Sequence, residues 1–131
     1  MDIVSRCICG GTCYLNVGDS IQSGVYRWYI SYHCSKCNKN TEIDGCGIDT
    51  IPDNVQEMII DQEGEWGLRS SVNKIKIKFL LKKLLEDYNK IILQEDLLCF
   101  GTKNQLQWIK NKLVEKGIAE NDMEIRKILK S

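Results

Sequence analysis

Seven cysteines and a single histidine are the side chains of this chain best suited to chemistry. Six of the cysteines precede residue 47. They include Cys7-Ile8-Cys9-Gly10-Gly11-Thr12-Cys13 and, starting twenty residues after Cys13, His33-Cys34-Ser35-Lys36-Cys37. A close-spaced pair presents two thiolates from one tight loop, and two such pairs fill the four tetrahedral positions that zinc takes. Cys34 and Cys37 form a regular C-x-x-C pair. The first group is less regular: Cys7 and Cys9 are C-x-C, Cys9 and Cys13 are C-x-x-x-C. Cys7 and Cys9 are favoured because a glycine after Cys9 lets nearby backbone N–H groups face the sulfur; Cys13 is the alternate ligand. The expected set is Cys7, Cys9, Cys34 and Cys37 around a structural zinc ion, since four thiolates leave no position open for water.

The competing readings are disulfides and free thiols. An odd count of seven fits a disulfide framework poorly. The N-terminus lacks a basic segment followed by an apolar one, so a cytoplasmic location is expected, where disulfides are disfavoured. His33 adjoins Cys34, and neighbours in a strand face opposite ways, which makes His33 a bystander. Cys46, between two glycines, reads as a surface or turn thiol, and Cys99, in an apolar run, as a core residue. No Ser/His/Asp set and no phosphate-cradling glycine loop is evident. The stretch Asp44–Asp49 lacks the third acidic residue and the terminal Glu of a calcium loop. A non-enzymatic protein is expected.

Three regions must position these groups. Residues 1–50 read as a small zinc-ribbon-like β unit. Its strands are Tyr14–Val17, Val25–Tyr32 and Thr41–Asp44, with a turn at Gly18-Asp19-Ser20. Tyr26, Trp28, Ile30 and Tyr32 share one face of the second strand, expected to pack rather than to stack nucleic-acid bases. A linking helix occupies 51–64, with Val55, Met58 and Ile59 on one side, Pro52 in the first turn and Gly64 as the stop. Residues 65–131 read as an α/β unit. A strand near Trp66 precedes a helix with Ile77, Leu80, Leu81, Leu84 and Leu85 on its apolar stripe, then a short helix over 90–98 and a short strand at Cys99-Phe100. A capping box at Thr102-Lys103-Asn104-Gln105 starts another helix, and a strand over 123–129 closes the chain.

The 131 residues suit one ordinary domain or two very small ones. Eighteen basic residues balance eighteen acidic ones, 43% of residues are apolar, and no apolar run approaches the roughly 18 residues of a membrane span. The charge is unevenly placed. Residues 1–63 hold four basic side chains against nine acidic, a net of −5, and residues 64–131 carry the compensating +5. Zinc bound by four thiolates would make the first half about two charges more negative. The acidic half is therefore expected to meet a basic partner, with Asp19, Glu42, Asp44, Asp49 and Asp53 as candidate contacts. Lys74, Lys76, Lys78, Lys82 and Lys83 make the opposite patch, read as a solvated helix face or a second partner surface.

The second half resembles the C-terminal domain of the bacterial ribosomal stalk protein. The likeness covers about residues 65–129 and is carried by Lys76-Ile77-Lys78-Phe79-Leu80-Leu81-Lys82-Lys83-Leu84-Leu85, by Phe100–Leu113 and by Glu115-Lys116-Gly117-Ile118. It implies the order β-α-α-β-α-β. The whole layout is similar to small bacterial immunity partners of polymorphic or contact-dependent toxins. Cysteine pairs, an aromatic strand, Glu42-Ile43-Asp44-Gly45-Cys46-Gly47 and Glu63-Gly64-Glu65-Trp66-Gly67-Leu68 carry that likeness. The expectation is an α+β protein that neutralises a cognate protein toxin by stoichiometric binding. The alternative is a ribosome- or RNA-associated zinc-ribbon protein. Nucleic acid is the lesser expectation as partner and a membrane is not expected; the oligomeric state is left open.

Overall fold

The computed structural model describes residues 3–85, 91–94 and 97–128. It is an α+β arrangement of two four-stranded antiparallel sheets and three α-helices. The first sheet is a meander of β1 (Ile3–Arg6), β2 (Thr12–Gln22), β3 (Val25–Cys34) and β4 (Asn40–Cys46), in that spatial order. Exposed and buried residues alternate along β2 and β3, so Leu15, Val17, Tyr26, Trp28 and Ile30 face inward together. Tyr26 and Trp28 are 0% and 6% exposed, so the aromatic face packs, as its composition suggested.

The long β2 corrects one expectation, because Gly18-Asp19-Ser20 lies within the strand and is not a turn. Gly18 serves packing there: a Cβ at this position would stand 2.6 Å from the ring of Tyr29. The reversal instead falls at Ser23-Gly24, both at positive φ, 52° and 76°. Two such residues in a two-residue connection match the right-handed twist of the flanking strands.

Helix α1 (Asp53–Glu63) follows a short 3-10 turn and lays Val55 and Ile59 against β2. Pro52 occupies its N-cap, one residue before the first turn, and Gly64 ends it at φ 94° with an N–H bond to the Ile60 carbonyl. The second sheet has the order β6-β7-β5-β8. It contains β5 (Trp66–Arg69), β6 (Ile91–Gln94), β7 (Leu97–Gly101) and β8 (Glu124–Lys127). Helix α2 (Lys74–Leu84) follows β5, and α3 (Lys103–Glu115) follows β7.

The observed order β-α-β-β-α-β departs from the stalk-like β-α-α-β-α-β. The short helix expected over 90–98 is replaced by two antiparallel strands that pair Ile91 with Cys99 and Gln94 with Leu97. Lys90, Glu95 and Asp96 of that stretch, and Leu129 of the expected last strand, lie outside the described residues. Ile91-Ile92-Leu93 is β-branched-rich and too short for a stable helix, which is the physical ground for the strand. Among the described residues, no helix is long and apolar enough to cross a membrane.

The buried residues form one cluster that includes Tyr26 and Trp28 of the first sheet and Leu68 and Leu98 of the second. Helix α3 touches β2 and β3 as well as β5, β7 and β8. Polar groups join the halves too. The Gln56 and Gln105 amides pair reciprocally in the interior, one of the bonds measuring 2.7 Å.

Candidate metal centre

The two cysteine groups sit in adjacent turns at one end of the first sheet. The β1–β2 turn closes through bonds from the Cys7 N–H to the Gly11 carbonyl and from the Gly10 N–H to the Cys7 carbonyl, each 2.9 Å. The β3–β4 turn closes through Asn38 N–H to Cys34 O and Cys34 N–H to Lys39 O, each 3.0 Å. Ser35 N–H reaches across to Thr12 O at 3.0 Å and holds one turn against the other. Gly10 and Asn38 take the positive φ values of 86° and 57° that these tight reversals require.

These turns bring Cys7, Cys9, Cys34 and Cys37 together, with all four sulfurs within 4.8 Å of one another. The Cys7–Cys37 sulfur separation is 3.8 Å and the Cys9–Cys34 separation 3.4 Å. A tetrahedron with metal–sulfur bonds of about 2.3 Å has edges of about 3.8 Å, so four thiolates here fit a metal ion. Gly11 shapes the cradle. A Cβ on it would stand 2.6 Å from Lys36 Cβ and 2.9 Å from Cys34 Sγ, and its N–H points at Cys9 Sγ at 3.4 Å.

The site's electrostatics divide the thiols. Backbone N–H groups of Cys37 and Lys36 outweigh burial and bring Cys34 down to about 6. The Cys9 N–H lowers Cys7 as well. Cys9 is favoured by the Gly11 N–H, but the crowded Cys34 and Cys7 sulfurs push it up to about 12. Hydrogen bonding to the neighbouring sulfurs holds the proton on Cys9, and a bound cation would take that proton's place among them.

The alternate ligand Cys13 stands outside the set of four. It lies in β2, directly across the ladder from Cys34, and is buried beneath the cluster; burial and the neighbouring Cys7 charge raise its pKa. His33 is exposed on the other side of its strand and bonds to the Asn40 side chain. Cys46 is exposed at the end of β4, and Cys99 is fully buried, where desolvation pushes its thiol up to about 12.

The acidic candidates separate into two kinds. Glu42, Asp44, Asp49 and Asp53 are exposed. Asp19 is turned inward and acts as a joint between the halves. Its carboxylate accepts bonds from Tyr26 Oη (2.9 Å), Thr102 Oγ1 (2.5 Å) and Asn104 Nδ2 (2.8 Å). Sequence reasoning missed this role, although the signal was present: Asp19 keeps step with Cys13, Leu15 and Val17 on the inward face of β2. Gly11 was missed too, because only the neighbouring strand reveals what its missing side chain leaves room for.

No protein-family model, curated protein or solved structure matches the chain.

Proposed function

We propose that this chain is a non-enzymatic protein-binding module whose N-terminal sheet is pinned by a structural zinc ion on Cys7, Cys9, Cys34 and Cys37. Four sulfur donors in tetrahedral reach select zinc or an iron–sulfur centre over harder ions, and a closed set of four leaves no position for substrate. Zinc bound there would neutralise the crowded thiolates and fix both turns.

The observation that carries the binding role is the outer face of the first sheet. Register places Tyr14 and Asn16 of β2, Arg27 and Tyr29 of β3, and Glu42 and Asp44 of β4 on that one side. Tyr14 is 44% exposed, and Arg27, Glu42 and Asp44 are exposed. Tyr and Arg are the residue types that anchor protein interfaces, and β2, β3 and β4 contain no lysine. The more specific reading is an immunity protein that occludes a cognate toxin one to one, with the acidic edge steering a basic toxin. It rests on the layout likeness of the sequence together with this face. Asp19 is not among its contacts, since its carboxylate is occupied internally.

The test is capture of partners by the tagged chain from a bacterial extract, with and without nuclease. One stoichiometric protein that survives nuclease, and is lost when Glu42 and Asp44 are both changed to Lys, is expected. Retention of the partner by that double variant would reject the assigned face. The second reading, an RNA- or ribosome-associated protein, is favoured by the exposed lysines of α2. It calls instead for partners that disappear with nuclease and for steep loss of binding with salt.

A further inference from the structure

Helix α2 buries one side and carries a second apolar strip on the other. Ile77 and Leu81 are 0% exposed, whereas Ile75 is 87% and Phe79 58% exposed. At 100° per residue, Ile75 and Phe79 lie one turn apart at the centre of the outer face. Lys78 and Lys82 flank them on one side, Lys76 and Lys83 on the other. Val72, 44% exposed, extends the strip past the helix start. No acidic residue occurs between Trp66 and Leu85.

Only part of this placement serves the helix itself. Lys76 sits in the first turn, where the macrodipole disfavours cations and no acidic residue stands, whereas Lys82 and Lys83 sit in the last turn, where it favours them. Exposed Ile and Phe add nothing to the core. Helix stability accounts for Lys82 and Lys83 but not for an exposed Ile75 and Phe79.

We propose that the outer face of α2 is a peripheral docking site for an anionic lipid bilayer surface. The inference is independent of the toxin-binding reading and uses the opposite half of the molecule. Charge complementarity demands an anionic surface. The central Ile75 and Phe79 distinguish bilayer from nucleic acid, since against phosphates they would be the groups in contact. A symmetric pair of copies meeting through α2 would set lysine against lysine. A bilayer interface satisfies both features. The apolar pair enters the headgroup–acyl boundary, and the lysine stems lie along it with their ammonium groups at the phosphates. The Lys83 ammonium already lies 4.6 Å from the centre of the Phe79 ring, so ring and cation would arrive together. The absence of a spanning helix is no obstacle, because this mode lies on the membrane without crossing it.

The experiment is co-sedimentation of the full chain with phosphatidylcholine vesicles, with and without phosphatidylglycerol, at low and high salt. Binding only to the anionic vesicles, reversed by salt, is expected. Lys82→Gln and Lys83→Gln should each weaken partitioning about fivefold. Phe79→Ser should weaken it about tenfold. Phe79 is exposed, so its variant should keep the circular dichroism spectrum and melting point of the parent. Absence of sedimentation overturns the proposal, and so does binding indifferent to Phe79→Ser. Lysine-dependent RNA shifts or salt-sensitive self-association, without vesicle binding, would assign the face to those occupants instead.

Discussion

At the scale of single residues, the cysteine cluster makes a sharp distinction between neighbours. Cys9 and Cys13 are four positions apart, yet only Cys9 joins Cys7, Cys34 and Cys37 within 4.8 Å. Cys9→Ser and Cys37→Ser are therefore expected to abolish stoichiometric metal, measured on purified protein by elemental analysis. Cys13→Ser should retain it. Equal metal loss in all three variants would mean that Cys13 is a ligand. Asp19 makes the second residue-scale prediction. Its carboxylate takes bonds from Tyr26, Thr102 and Asn104, and hydrogen bonds to charged groups are worth about 1.5–3 kcal/mol each before they are shared. Asp19→Ala leaves a buried phenol and a buried threonine hydroxyl without that acceptor. A loss of about 3 kcal/mol in urea unfolding is expected, and a loss below about 0.5 kcal/mol, ordinary for a surface substitution, would refute the role.

At the scale of elements, α3 shows how a local signal and a distant contact meet in one residue. Thr102 caps the helix by accepting the Gln105 N–H at 3.0 Å, and Gln105 Oε1 in return accepts the Thr102 N–H at 3.0 Å. The same hydroxyl donates to Asp19. Thr102→Ala should cost about 2 kcal/mol, the upper end for a lost cap, while Thr102→Ser should recover most of it. Chemical denaturation of the three proteins checks this. The capping box was readable because it needs only four adjacent residues, and the stop at Gly64 was readable for the same reason. The cysteine pairs were legible through spacing alone. What was not legible depended on partners far along the chain. Gly18 looks like a turn until Tyr29 is found lying on it. The run at Ile91 has no periodicity long enough to separate helix from strand, and its pairing with Cys99 decides. Cys9 was favoured over Cys13 on the glycine that follows it, while the β2–β3 register that sets Cys13 against Cys34 as a ladder pair was out of reach.

At the scale of the whole molecule, the sequence divides by charge while the interior does not divide. Trp28 of the first sheet belongs to the same buried cluster as Leu68 and Leu98, with Trp66 packed against it. Trp108 of α3 donates its indole N–H to the Gly24 carbonyl in the β2–β3 reversal at 3.0 Å. Asp19 and the Gln56–Gln105 pair add polar links between the same parts. The cysteine turns stand at the opposite end of the first sheet from that reversal, so a metal ion held there would brace the far end. A ligand that binds only the native chain raises its stability by mass action, and a shared core spreads that gain over every element. Chelation is accordingly expected to lower the melting temperature of the entire chain as one transition. Tryptophan fluorescence, reporting Trp28, Trp66 and Trp108, should coincide with far-ultraviolet circular dichroism both with metal and without it. A metal-free protein whose fluorescence and circular dichroism separate into two transitions, only the lower of them moving with chelator, would show that the first sheet melts alone. That outcome would make the interior contacts at Asp19 and Gln56 too weak to couple the halves.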